Sequence, residues 1–448
     1  MLITNANVVT WESTNRVLEN HALYIESDRI KEIGTTKALV AKYPKTKAFD
    51  ARGQYVMPGN ICAHTHFYGA FARGMAIPGP APKDFPEILK KLWHPLDRSL
   101  DAEAVRFSAL VCLVDAIKHG TTTLIDHHAS PSCIEGSLDL IAEAVDKSGL
   151  RGVLCYETTD RYGREKANAG INENLRFIKR LAEKPHPRLA ATFGLHANLT
   201  LSGITLQACR TAAPDQIGFH IHAAEHEADE YDSLNKSDMR AIDRLQKHGI
   251  LGANTIVAHG VHFDAREMEI VKETGTWLTH QPRSNMNNGV GVAQVESMMR
   301  LGIKVCLGND GFSNAMWDEW QTAYLLHKSH HRDPRRMNGN AVAQMAVYNN
   351  AALANQFFPA APIGQITVGA FADLIFVDYL PPTPVTAENL PWHIIFGFQQ
   401  SLITTTIVAG KILMKDRALL TLDEKEISAR AKEIAPRIWQ RYEEEAAK

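Results

Sequence analysis

Residues 60–66 read NICAHTH: a short apolar run that ends in two histidines two residues apart. The same construction recurs at intervals through the middle of the chain. TTTLIDHH (121–128), RGVLCYE (151–157), LAATFGLHA (189–197), IGFHIHAAE (217–225), NTIVAHGVH (254–262), TWLTHQ (276–281) and KVCLGND (304–310) each join Val, Ile, Leu or Thr to a polar end. Between them lie stretches of helical period such as AEAVRFSALVCLVDAIKHG (102–120) and NENLRFIKRLAEK (172–184). Alternation of this kind predicts a parallel sheet. Eight strands in about 300 residues fit a (β/α)8 barrel of the TIM type, and an open doubly wound sheet is the alternative. The barrel is preferred because so many strands finish in His, Asp or Glu, and a barrel gathers its site at the C-terminal strand ends.

Outward from this core the pattern changes. LITNANVV (2–9), ALYIES (22–27), DRIKEIG (28–34) and QYVMPG (54–59) are short and strand-like, and ADLIFVDY (372–379) and TTTIVAGKILMKD (404–416) resemble them. The two ends are therefore expected to pair in one small β-sandwich, with the barrel inserted between them. The division is 1–57 and 364–422 for the sandwich, 58–363 for the barrel and 423–448 for a terminal helix broken or started at Pro436.

Lys and Arg number 48 against 50 Asp and Glu, a formal net charge of −2. No broad basic field exists to hold a nucleic acid or an anionic membrane, so a small molecule is the expected partner. With 45% hydrophobic and 22% charged residues the chain reads as an ordinary globular protein with a large core. Six scattered cysteines form no CxxC pair, and neither a basic-then-apolar leader nor a membrane-length apolar run is present. These features predict a cytoplasmic protein, and its expected assembly is a homodimer. The chain also carries 20 histidines, several inside apolar runs where solvation does not explain them.

On a strand, His64 and His66 point to one face while Thr65 points away. Alone this is a weak metal signal. His222, His259 and Asp310 end the fifth, sixth and eighth predicted strands, so four strand ends offer imidazole or carboxylate to one cavity. Neutral imidazole with carboxylate suits Zn²⁺ or Fe²⁺, and the absence of cysteine ligands argues against a closed structural zinc site.

In order along the chain, VMPGNICAHTHFYGAFARG (56–74), LWHPLDRSLD (92–101), TTLIDHHASP (122–131), FHIHAAE (219–225), VAHGVH (257–262) and HQPRSNMNN (280–288) resemble the amidohydrolase superfamily. The similar branch is that of the metal-dependent aminohydrolases, with its cytosine, guanine and adenosine-type deaminases and triazine chlorohydrolases, and within it the SsnA-type aminohydrolases. MPG (57–59) and GAFADLIFVDY (369–379) match the sandwich edges of that family. The resemblance implies one divalent metal ion per chain, Zn²⁺ with Fe²⁺ as the alternative, held by His64, His66, His222 and Asp310. No lysine ends the third or fourth strand, where two-metal relatives carry a carboxylated bridge, so a mononuclear site is expected. The HxE and PCxxC signature of the other zinc deaminase fold is absent.

The family pattern gives Asp310 the proton traffic of the attacking water, Glu225 protonation of a ring nitrogen, and His259 a hydrogen bond to the water or the developing centre. Trp93, His128, His196, Arg283 and Asn285 are the expected substrate contacts, with Asn198 where the family often has proline. Neighbours on a strand face opposite ways, so at most one of His127 and His128 looks into the pocket. His220, deeper in its strand than His222, reads as a packed, hydrogen-bonded core histidine. The expected reaction is deamination of an aminated N-heterocycle such as a purine or pterin. Cyclic amide hydrolysis, chlorohydrolysis and a catalytically silent scaffold are the alternatives.

Overall fold

A computed structural model describes all of residues 1–448. Each of the eight expected runs contains a strand, and each strand but one keeps a single span. They are Asn60–Thr65, Thr121–Asp126, Arg151–Leu154, Leu189–Ala191 with Phe193–Ala197, Phe219–Ala223, Ile256–His259, Trp277–His280 and Val305–Leu307, with helices between most of them. Wherever neighbouring strands form a ladder, they pair in parallel. This is the TIM-barrel type of fold with mixed α/β content.

The hydrogen-bonded ladder is interrupted at two places, leaving one sheet of four strands and one of five. One interruption falls inside the expected LAATFGLHA strand. Leu189–Ala191 pairs back to Arg151–Leu154, whereas Phe193–Ala197 pairs forward to Phe219–Ala223. Gly194 lies so close to the chain at Tyr156 that a Cβ there would meet the Tyr156 carbonyl oxygen at 2.3 Å. The buried side chain of Asn174 then serves as the missing ladder: its Oδ1 accepts from the Tyr156 and Gly194 amides at 2.9 and 3.1 Å, and its Nδ2 donates to the Tyr156 carbonyl at 2.8 Å. The other interruption lies between the first and eighth strands. There the buried Asn350 accepts from the Leu307 amide at 2.8 Å and donates to the Ile61 and Leu307 carbonyls at 2.7 and 2.9 Å. Each asparagine leaves its helix to satisfy buried backbone groups that no strand reaches.

Strands from both chain ends meet in one nine-stranded sheet, where Tyr55–Pro58 pairs with Leu2–Val9 on one side and Leu374–Val377 on the other. Only Gly59 separates Tyr55–Pro58 from the first barrel strand. A Cβ at Gly59 would fall 2.1 Å from Thr122 Cγ2, so the sheet can approach the barrel only through glycine. A buried ion pair fastens the same junction: Arg151 Nε, at the start of the third barrel strand, lies 2.6 Å from Asp373 Oδ2.

The terminal helix departs from expectation. It starts at Asp423, whose carboxylate caps the Glu426 amide at 2.9 Å, and runs unbroken from Glu424 to Ala446 through Pro436. Pro436 sits on the exposed face, while Ile427, Ile434, Ile438 and Tyr442 are buried on the other face. No helix is long and apolar enough to cross a membrane.

Candidate active site

His64, His66, His222, His259 and Asp310 converge where the strands end. Two of them leave their strands through left-handed backbone, His259 at φ 76° and Asp310 at φ 56°. That conformation is costly for a residue with a side chain, and here it turns imidazole and carboxylate inward from strands that have already stopped.

The hydrogen-bond partners fix which ring nitrogens face the cavity. His66 Nδ1 donates to the His127 carbonyl at 2.6 Å, and His222 Nδ1 donates to the His196 carbonyl at 2.7 Å. A carbonyl accepts only, so each Nδ1 carries a proton and in the neutral ring each Nε2 is left with its lone pair. Those two Nε2 atoms are 3.2 Å apart, and His66 Nε2 is 2.8 Å from Asp310 Oδ1. His64 Nε2, buried and without a hydrogen-bond partner, lies 3.5 Å from the same oxygen. Lone pairs and a carboxylate so close together repel unless a cation lies among them. Ligand bonds of about 2.0–2.1 Å in a tetrahedral array place donor atoms roughly 3.3–3.4 Å apart, close to the spacing found. The residues therefore fit a divalent metal.

Electrostatics agree with this donor set. Burial drives the imidazoles of His222 well below and of His64 down to about 3, keeping both neutral. Burial raises Asp310, but the His64 and His66 imidazoles beside it outweigh this and hold the carboxyl well below its ordinary value. At His66 burial lowers the imidazole, and Asp310 and then Glu157 more than reverse this. Without a metal, that position draws a proton instead.

Glu225 is also buried, with Oε2 3.4 Å from His259 Nε2 and Oε1 accepting from Asn288 Nδ2 at 3.3 Å. Burial, then the nearby Asp310 charge, raises its carboxyl well above the ordinary value, which favours the protonated form. Two carboxyl groups lining one cavity are thus driven in opposite directions. Asn288 also donates to Ser284 Oγ at 3.3 Å, and Ser284 donates to Asp310 Oδ2, so a short hydrogen-bonded chain joins the two acids. His259 gives its Nδ1 proton to Asn285 Oδ1 at 2.9 Å, which leaves a buried, unpartnered Nε2 toward the cavity.

The cavity is lined by His66, His222, Glu225 and Asp310 together with Tyr68, Phe85, Leu89, Trp93, Arg161 and His196. Of the expected substrate contacts, Trp93 and His196 are on its wall. The other three are not. Asn285 is fully buried and orients His259. Arg283 is held by Glu319 at 2.6 Å and by the Ser313 carbonyl at 2.7 Å, so its fork is already filled. His128 is buried against Ser130 Oγ at 2.8 Å, while His127 packs beside the metal-facing histidines, with ring centroids 5.6 Å from His66 and 4.8 Å from His222.

Besides the wall residues Tyr68, Phe85, Leu89 and Arg161, three polar residues beside the acids and ligands escaped the sequence reading. Ser284 and Asn288 form the link between the acids, and Glu157 is a fully buried carboxylate 3.2 Å from His66 Nδ1 and 3.4 Å from His127 Nδ1. The signal for the first two was their spacing of four within a Pro-initiated helix, Pro282–Asn288, which puts them on one face. Glu157 closes the quoted run RGVLCYE, and its polar strand end was the available signal.

Comparison with known proteins gives the same picture over nearly the whole chain. Residues 55–413 match the amidohydrolase family. A 5'-deoxyadenosine deaminase from Methanosarcina mazei is 31% identical over 441 residues, covering 97% of each chain. A 5-methylthioadenosine/S-adenosylhomocysteine deaminase from Syntrophobacter fumaroxidans is 30% identical over 446 residues, again covering 97% of each. The crystal structure of an adenosine deaminase from Xanthomonas campestris with bound zinc superposes with a TM-score of 0.86 over 98% of both chains at 23% identity, a likeness of fold. By sequence match and by fold, the chain belongs to the amidohydrolase family.

Proposed function

We propose that this protein is a metal-dependent deaminase of an aminated nitrogen heterocycle, and that its substrate is an adenosine-type nucleoside. The observation that carries the reaction type is the divergence of Glu225 and Asp310 at one cavity, one carboxyl favoured protonated and the other ionised. The printed activities of the two relatives at 30–31% identity support the substrate class. His64, His66, His222 and Asp310 are the residues to hold one Zn²⁺ per chain, with Fe²⁺ the alternative distinguished by elemental analysis. The metal, when bound, supplies Lewis-acid activation of water at neutral pH.

The remaining chemistry is assigned to the chain. His259 Nε2, unprotonated, accepts a hydrogen bond from the attacking water and aims it. Asp310 takes a proton from that water as its oxygen adds to the amino-bearing carbon, and Glu225 gives a proton to the adjacent ring nitrogen. Asp310 then passes its proton to the departing amine, which leaves as ammonia, and the remaining hydroxyl proton restores Glu225. Tyr68, Phe85 and Trp93 offer aromatic walls for a planar base. Hydrolysis of a cyclic amide delivers a single proton, to the ring nitrogen that leaves, so one acid suffices and no ammonia is released; deamination uses both carboxyl groups.

The same proposal includes a closed barrel, a β-sandwich of 1–57 with 364–422, a homodimer and a cytoplasmic location. Pairing of the chain ends in one sheet supports the domain division, and light scattering tests the dimer. The reaction itself is tested by incubating the zinc-loaded protein with adenosine, 5'-deoxyadenosine, 5-methylthioadenosine, guanine and a pterin, and measuring ammonia together with product chromatography. Ammonia from an adenosine-type compound is expected. Ring opening without ammonia, or a preference for chloride release from a halogenated triazine, overturns it.

A further inference from the structure

Of the three candidate imidazole ligands, two are oriented by main-chain carbonyls. His66 is held by the His127 carbonyl and His222 by the His196 carbonyl. The third has no carbonyl. His64 Nδ1 instead lies 2.9 Å from His220 Nε2, a contact between two fully buried rings. His64 can present a lone pair at Nε2 only if its proton is on Nδ1, so His220 Nε2 must be the acceptor. The proton of His220 then sits on its own Nδ1, which faces Cys155 Sγ at 4.0 Å. Cys155 in turn donates its thiol proton to the Asp126 carbonyl at 3.5 Å, leaving sulfur lone pairs for His220. The four groups form one directional chain, from His64 through His220 and Cys155 to a backbone carbonyl. The His127 ring stacks on His220 with centroids 4.4 Å apart and an interplanar angle of 22°, which fixes the rotation of the His220 ring.

We infer that His220 is the positioning residue for the metal ligand His64, the one candidate imidazole ligand whose Nδ1 has no main-chain carbonyl to orient it. The inference rests on the reading of His64, His66, His222 and Asp310 as a metal site. Partners of this kind fix the ligand's tautomer and ring angle and strengthen its basicity, and their loss weakens metal binding by roughly 10–100-fold.

The test titrates chelator-stripped protein with Zn²⁺ against a chromophoric competitor, comparing wild type, His220→Leu and His220→Gln. Glutamine places an acceptor oxygen near the position of Nε2, whereas leucine fills the space without one. Wild type is expected to bind one zinc tightly, His220→Leu to bind about 10–100-fold more weakly, and His220→Gln to recover most of that loss. If wild type takes up no zinc, the metal-site reading itself fails. If wild type binds but His220→Leu binds equally well, or His220→Gln is as weak as leucine, the positioning role is overturned. A second measurement needs no variant: long-range ¹H–¹⁵N correlation on zinc-loaded wild type should show His220 protonated at Nδ1, and a proton at Nε2 refutes the inference even if the leucine protein does not fold.

Discussion

Replacing Glu225 by glutamine separates the proposed acid from the metal site more cleanly than any other substitution. The side chain is buried, 3.4 Å from His259 Nε2 and within 3.3 Å of Asn288 Nδ2. It belongs to neither His-rich cluster whose atoms could ligate an ion around His64 and His222. Glutamine preserves the volume and can still accept from Asn288, but it has no proton to transfer. General acid catalysis contributes about 10²–10⁴-fold, so kcat should fall by that factor, equivalent to roughly 2.7–5.4 kcal/mol of barrier. Because burial and Asp310 raise Glu225, wild-type activity requires its protonated form and declines as pH rises through that raised value. The variant should lose this alkaline limb along with the rate. Ammonia release across pH, with zinc content measured on the same preparations, decides the matter. Turnover within tenfold of wild type, or loss of the metal, refutes the assignment of Glu225 as a donor that is not a ligand.

Three further outcomes follow from other parts of the molecule. His222→Ala removes a candidate ligand and should reduce bound metal from about one per chain to near zero by elemental analysis; full retention would remove His222 from the donor set. Asn350→Ala leaves the buried Leu307 amide and the Ile61 and Leu307 carbonyls without their side-chain partner. At about 1–3 kcal/mol per buried unpaired group, urea denaturation should show a loss of about 3 kcal/mol or more, and a loss under about 1 kcal/mol contradicts the bridging role. Burial, with His331 and His330 adding to it, depresses His327 to about 4. The folded state therefore resists protonating a histidine that the unfolded chain protonates near 6.5, and the associated stability is present above 6.5 and lost as pH falls. Between pH 7.5 and 5 wild type should lose about 2 kcal/mol relative to His327→Gln, and parallel stability profiles for the two proteins contradict the burial argument.

Most of the site residues that the sequence made legible are side chains at strand ends; Glu225, just past its strand, and Trp93, in a helix, are the others. Strand period and apolar context were enough to collect His64, His66, His222, His259 and Asp310, because a parallel strand buried on both faces has few reasons to finish in imidazole or carboxylate. Legibility failed where the chain leaves the strand. In HQPRSNMNN, Arg283 and Asn285 carry the chemistry most easily imagined as substrate contact, yet the helix beginning at Pro282 turns Ser284 and Asn288 toward the acids and directs Arg283 to Glu319. Charge and hydrogen-bonding capacity rank residues by what they can do, and helical period decides which of them is offered the opportunity. Glu157 was passed over for a different reason. A search of the third strand for a bridging lysine had no place for a buried carboxylate beside His66 Nδ1.

The carbonyl partners explain why precision at this site is largely invisible in the sequence. His66 extends from the first strand and is held by the carbonyl of His127, just beyond the second; His222 lies in the fifth and is held by the carbonyl of His196, in the fourth. In both cases the neighbouring strand supplies a carbonyl acceptor through its backbone, so those two bonds depend on register and twist; at His66 the Glu157 carboxyl adds a second partner for Nδ1 at 3.2 Å. His127 and His196 can change identity without changing those two bonds. His64 has no such carbonyl at its Nδ1, although its own carbonyl receives the Asn309 and Asp310 amides from the end of the eighth strand. Its partner comes from the fifth strand, and the ring that reaches it is His220. The exception to carbonyl orientation is therefore the ligand whose Nδ1 meets a second imidazole, and there the sequence itself, in the HIH of 220–222, carries the partner.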